Sequence, residues 1–229
     1  MNNITLTTSI PIDNHVRYVE KTFDMKVDDT MTTEIPLSHR LNEEFDNIGV
    51  IYGASGSGKS SILKRYGQEK RYEFDRDKTL ISNFDFIEAH EASLMLTAVG
   101  LASVPAWVRQ FRLLSNGEQY RANLAMTLAR HTNKEETLVV DEFTSVVDRN
   151  TAKSMSNALQ KYIRKHDLKV VFASCHKDVI DWLQPDWTYT LPSAEYVKKA
   201  QSNETSQRSM FDYFVANLQL GKYSNSITI

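Results

Sequence analysis

Eight consecutive residues, Gly53, Ala54, Ser55, Gly56, Ser57, Gly58, Lys59 and Ser60, follow the spacing G-x-x-x-x-G-K-S. Glycines so spaced let the backbone curl until successive N–H groups aim at one anion, and a helix beginning at Lys59 adds the partial positive charge of its N-terminus. Lys59 would then reach the β- and γ-phosphates of a nucleotide, the Ser60 hydroxyl would ligate Mg²⁺, and Ser61 completes the cradle. Downstream, "TLVVDE" (137–142) ends an apolar run in two carboxylates, Asp141 and Glu142. A nucleotide hydrolase needs two such groups, one for the metal shell and one to orient and deprotonate water. On their own, the octamer could be an ordinary Gly/Ser-rich turn and the carboxylates a solvated acidic turn.

Between them, "LLSNGEQYRANLAMTLARH" (113–131) is a Ser-Asn-Gly turn followed by a long helix with Leu124, Ala125 and Leu128 on one side. It is either a second anion-receiving helix start or a capped core helix. His176 ends a later apolar run beside Cys175, the single cysteine. No second Cys or His stands at ligand spacing, which argues against a metal site there.

The elements that must position these residues are legible as apolar runs. "NIGVIY" (47–52), "TLIS" (79–82), "TLVVD" (137–141) and "KVVFAS" (169–174) are continuous, as strands covered on both faces read. A helix should run from Lys59 to a stop at Gly67. In "TAKSMSNALQKYIRKH" (151–166), Met155, Ala158, Leu159, Tyr162 and Ile163 recur at helical spacing, giving a strand, helix, strand crossover. "HVRYVEKTFDMKV" (15–27) reads as strand, and the polar, proline-broken stretch after it (27–46) as a surface connection. "SAEYVKKAQSNETSQRS" (193–209) reads as a linker, and "MFDYFVANLQL" (210–220) as a last helix.

With 229 residues, 41% hydrophobic and 24% charged, one globular core is the default. A formal charge of −2 gives no global case for a polyanionic partner. The local basic clusters 64–71 and 161–169 lie among acidic residues and read as solvated helix faces. One cysteine excludes an internal disulfide, and no stretch approaches a secretory signal or the roughly 20 apolar residues of a membrane span. The expectation is a cytoplasmic protein. The three tryptophans, Trp107, Trp182 and Trp187, stand near prolines and read as packing residues.

Taken together, these motifs resemble the ABC-class ATPases. "LSNGE" (114–118) is similar to their LSGGQ signature, "SVVD" (145–148) to their D-loop, and "FASCH" (172–176) to the strand ending in their switch histidine. With the phosphate cradle and the acidic pair, these follow the family's order. The resemblance implies an α/β P-loop NTPase with an ABC-type ATPase core: a mostly parallel central sheet, an antiparallel β region at the N-terminus and a reduced helical lid at about 84–113. Residues 1–192 would form the ATPase domain, and 193–229 a linker with a partner-docking or capping segment.

It also implies a head-to-tail dimer formed on ATP binding. Ser115 and Gly117 would face a γ-phosphate held by the partner, with Asp148 beside the nucleotide. Glu142 would be the general base, Asp141 the Mg²⁺-associated carboxylate, and His176 the γ-phosphate sensor. Tyr18 or Phe23 would stack on adenine.

Three departures matter. Asn116 and Glu118 replace a glycine and the glutamine of the signature. No glutamine follows "TLIS", where Asn83 or Asp85 would substitute. Only about 60 residues separate cradle and signature, so a transporter-docking surface looks reduced. Long heptads are absent too. "HVRYVEKTF" (15–23), "VGLASVPAWVRQFRLLSNGE" (99–118) and "CHKDVIDWLQPDW" (175–187) resemble a compact group of ABC-type ATPases found alone or fused to an acetyltransferase-like domain. The function implied is Mg²⁺-dependent ATP hydrolysis driving a separate partner, acetyltransferase-like or nucleic-acid-processing, in nucleic-acid metabolism or phage and mobile-element biology. The alternatives are a transporter's nucleotide-binding subunit and a non-hydrolysing scaffold.

Overall fold

The computed structural model describes residues 3–131, 133 and 135–199. The chain opens with β1 (Asn3–Ser9), helix α1 (Asn14–Phe23) and β2 (Thr30–Pro36). β1 and β2 form an antiparallel pair in the register Asn3↔Pro36 to Ser9↔Thr30. β3 (Ile48–Tyr52) and helix α2 (Lys59–Leu63) follow, then α3 (Ala89–Ala98), α4 (Val104–Trp107) and α5 (Asn116–Ala129). The rest is β4 (Leu138–Val140), α6 (Arg149–Lys165), β5 (Val170–Ser174), α7 (Asp178–Leu183), β6 (Trp187–Thr190) and β7 (Glu195–Lys198).

The central sheet has the order β4-β5-β3-β6-β7, parallel except for β7 at one edge. Each central strand sends alternate residues to opposite faces, and both faces are covered, so the sequence shows no polar alternation. Ile48, Val50, Val140 and Phe172 pack with α3, α5 and α6 on one face. Ile51, Val139, Val171 and Ala173 pack with Ile62, Ile35 and Trp187 on the other. In α6, Met155, Leu159, Tyr162 and Ile163 are buried, as their spacing predicts. The lid region folds as α3 and α4 and a 3-10 turn at Phe111–Leu113. Trp187 is fully buried among Tyr66, Phe45 and Tyr196, and Trp107 is anchored by a bond from its Nε1 to the Leu101 carbonyl at 2.6 Å.

Four local expectations are corrected. Residues 15–23 are helical, not strand: the Asp13 carboxylate accepts the His15 and Val16 N–H groups at 2.9 Å, and this cap outweighs the β-branched composition. The connection read after it contains β2. "TLIS" makes only a bridge between Thr79 and Gln110, then turns into a 3-10 helix at Ile81–Phe84. There the Thr79 hydroxyl meets that of Ser82 and the Asn83 amide donates to the Thr79 carbonyl, so short polar side chains compete with ladder formation. The linker read from 193 begins instead with β7, paired to β6. The expected last helix at 210–220 lies outside the described residues. No described helix is long and apolar enough to cross a membrane.

Candidate active site

The cradle begins where β3 ends, at the carboxyl edge of the sheet, the usual ligand side of such sheets. Gly58 has φ of +94°, and a Cβ there would lie 2.5 Å from Ile35 Cδ1. A Cβ on Gly53 would lie 2.6 Å from Ser57 Oγ. Gly58 therefore demands glycine for both backbone angle and space, and Gly53 for space alone. Lys59 is buried, its Nζ donating to the carbonyls of Gly53 at 2.9 Å and Ala54 at 2.7 Å, which holds the ammonium inside the ring of the loop. Ser57 Oγ is buried without a hydrogen-bond partner among the described residues, an orphan polar atom in the cradle. Ala54, Ser55, Gly56 and Ser60 are exposed at its mouth, with Ser61 half-buried behind.

The acidic pair leaves β4. Asp141 Oδ1 accepts the Glu142 N–H at 2.9 Å, and Glu142 adopts φ of +48° with its side chain exposed. Two residues on, fully buried Thr144 has φ of +71°, a strained conformation for a β-branched residue. Its Oγ1 lies 3.1 Å from His176 Nδ1 and accepts from Arg149 Nη1 at 3.4 Å. Arg149 is held in turn by Asp178, to which it donates, and by the Trp182 ring 4.8 Å away.

Ser174, at the end of β5 and fully buried, knits these parts together. Its carbonyl accepts the Gly53 N–H at 3.3 Å, its Oγ donates to the Phe143 carbonyl at 3.0 Å, and the same Oγ accepts the His176 N–H at 3.1 Å. One hydroxyl and one carbonyl thus fix cradle, acidic pair and His176 relative to one another.

The signature residues are elsewhere. Ser115 caps α5: its Oγ accepts the Glu118 N–H at 3.3 Å, and Glu118 Oε2 accepts the Ser115 N–H at 2.8 Å. Arg109 donates to Glu118 Oε1 at 2.7 Å. Burial pulls the Glu118 carboxyl upward, but the Ser115 bonds and the Arg109 charge outweigh it and hold it below the ordinary range. The departure at Glu118 is thus a helix cap. Gly117 faces its own chain's 145–147 segment, where a Cβ would lie 3.0 Å from the Val146 carbonyl. Asp148 caps α6 through the Asn150 and Thr151 N–H groups at 3.1 and 3.0 Å, and the hydroxyl and N–H of Thr151 hold its carboxyl low.

A cleft of about 610 Å³ separates the start of α5 from the acidic pair, lined by Asn116, Gln119, Asp141, Glu142 and Glu69. None of the cradle residues lines it. At its wall the buried Tyr120 phenol is pushed up, by burial first and then by the Glu69 charge, and stays protonated.

Neither candidate for the missing glutamine lines that cleft. Asn83 is engaged with Asp75 and Thr79, and Asp85 with Lys78 at 3.1 Å. Tyr18 and Phe23 stand 67% and 68% exposed on α1, not on a strand beside the cradle. Glu69 and Thr144 lie outside the motifs, and Ser174, though within "FASCH", is not singled out there, because each acts through contacts with residues distant in sequence or through its own backbone angle.

Neither a protein-family profile nor a curated protein sequence matches this chain. Its fold is shared with solved structures. The ATP-binding cassette MJ0796, in a dimeric post-hydrolysis state with ADP and Pi, aligns at TM-score 0.51 and 17% identity, over 76% of this chain and 94% of that one. A bacterial Atm1-family ABC exporter with ATP bound aligns at TM-score 0.50 and 16% identity, over 90% of this chain. The match spans 40% of the exporter's length. The fold is that of an ATP-binding cassette.

Proposed function

We propose that this chain is a Mg²⁺-dependent ATP hydrolase of the ABC class whose site is completed by a second copy in a head-to-tail dimer. The observation that carries the reading is the Ser174 junction. It joins Gly53, Phe143 and His176 at one sheet edge, while Ser115 caps α5 and Gly117 lies beside the chain's own Val146. A signature turn that does not meet its own cradle needs another molecule's cradle to act on.

In this reading Gly53 to Ser61 wrap the triphosphate and Lys59 leaves its two carbonyls for the β- and γ-phosphate oxygens. The donors suited to the metal are the Ser60 hydroxyl and the Asp141 carboxylate, oxygen ligands of the kind Mg²⁺ selects. No three His, Cys, Asp or Glu side chains gather into a metal cage among the described residues, so water and phosphate would supply the remaining ligands. Bound there, Mg²⁺ would neutralise phosphate charge. Glu142 takes the proton from the attacking water, and His176, oriented by Thr144, contacts the γ-phosphate. Ser115, Gly117 and Asp148 of the second copy close the site.

The closing motion is read as acting on a separate protein, acetyltransferase-like or nucleic-acid-processing. A direct electrostatic grip on nucleic acid is less favoured, since Lys70, Arg71 and Arg164 in the basic clusters pair with Glu136, Glu69 and Asp186. Co-purification of the native complex tests the partner. For the chemistry, Glu142→Gln should lower ATP turnover by about 10²-fold or more while nucleotide binding persists. Chelating Mg²⁺ should stop turnover. Unchanged turnover in Glu142→Gln would overturn the base assignment, and a wild type that binds ATP without releasing phosphate would make the protein a nucleotide-dependent scaffold.

A further inference from the structure

Glu69 lies outside every motif, in the 67–75 loop between α2 and the 3-10 turn at Ile81–Phe84. Its Oε1 accepts the Asp141 N–H at 3.1 Å across 72 positions of sequence. Its Oε2 receives the Arg71 guanidinium, with Nη2 at 3.2 Å and Nε at 3.3 Å. Because Asp141 Oδ1 holds the Glu142 N–H, one chain of contacts runs Arg71, Glu69, Asp141, Glu142. A carboxylate receiving a backbone N–H is a charge-assisted bond, stronger than a neutral one.

The same loop is fastened on its other side to the lid and to α5. The Tyr72 N–H bonds to Asn123 Oδ1 at 3.0 Å, Phe74 stacks on Phe111 with ring centroids 4.2 Å apart, and the Asp75 N–H bonds to Asn83 Oδ1 at 2.7 Å. Glu142, immediately after the held peptide, sits at φ of +48°, a conformation that persists only where the surroundings impose it.

We propose that Glu69 is a positioning residue for the acidic pair: by gripping the Asp141 N–H it sets the direction in which Asp141 and Glu142 leave β4, and the 67–75 loop ties that direction to the placement of the lid. This rests on reading Asp141 and Glu142 as the hydrolytic pair. Glu69 itself touches neither nucleotide nor water in this scheme.

The test uses the full chain with Glu69→Ala and Glu69→Gln, the glutamine keeping an acceptor oxygen at the same reach. In nucleotide-free protein, amide hydrogen exchange at Asp141 should accelerate in Glu69→Ala and stay near wild type in Glu69→Gln. In steady-state ATP hydrolysis, Glu69→Ala should lose roughly 10- to 100-fold in kcat, the range for groups that orient a site's primary ligands, with KM nearly unmoved. Glu69→Gln should recover most of that loss. Unchanged Asp141 exchange and unchanged kcat in Glu69→Ala overturn the proposal, as does a glutamine variant as impaired as alanine. A wild type without turnover would sink the hydrolase reading, while the exchange measurement would still decide whether Glu69 holds Asp141.

Discussion

Thr144 joins backbone strain to a contact with the proposed sensor His176 in one residue. A left-handed backbone costs an ordinary residue about 1–2 kcal/mol, and Thr144 holds φ of +71° while its Oγ1 engages His176 and Arg149. Replacing it separates the two effects. Thr144→Gly should be more stable to urea than Thr144→Ala by about 1 kcal/mol, because only glycine relieves the angle. Both should lower kcat through a disoriented His176; equal stability would show that the angle carries no strain. At this scale the sequence is most readable where chemistry is contiguous: Gly53 to Ser60, Asp141 with Glu142, and His176 at a strand end. Glu69, Thr144 and Ser174 could not be read this way, since their partners lie 72, 32 and 31 positions away.

At the level of elements, caps decided several outcomes. Asp13 makes a helix of residues that compose like a strand, and Ser115 with Glu118 makes a strong helix start of a turn that departs from the LSGGQ pattern it resembles. Glu118→Ala should destabilise the protein by about 1 kcal/mol at neutral pH, the usual worth of a helix cap. The folded-state carboxyl of Glu118 lies below its unfolded value, so its contribution is complete above the unfolded value of about 4.3 and fades as pH falls through the folded one. The stability gap between wild type and variant should therefore begin to narrow as pH falls below about 4.3 and keep narrowing with further acid. A gap that does not narrow as pH falls contradicts the assignment. Three strands of the central sheet, β3, β4 and β5, were legible as unbroken apolar runs, but β6 and β7 were not, and "TLIS" matched that pattern and failed. Its threonine and serine hydroxyls, with Asn83, satisfied the backbone locally.

Across the whole molecule, the sheet holds together because β3 carries glycine where β6 carries tryptophan. A Cβ on Gly49 would lie 2.2 Å from Trp187 Cζ2, while the indole is enclosed by Phe45, Tyr66 and Tyr196. Gly49→Ala should cost at least 1–3 kcal/mol by overpacking, read as a lower urea midpoint; a neutral effect would mean that the indole can move aside. The cassette architecture was readable because five motifs in order constrain it more than any single run. The placement of the N-terminal aromatics was not, since α1 buries no residue and its position depends on a cap rather than on a core. The proposed two-copy site predicts that Glu142→Gln, binding ATP without turning it over, traps a dimer. Sedimentation of Glu142→Gln should show a monomer without nucleotide and a dimer with ATP and Mg²⁺. A monomer under both conditions, with ATP demonstrably bound, would contradict the two-copy site.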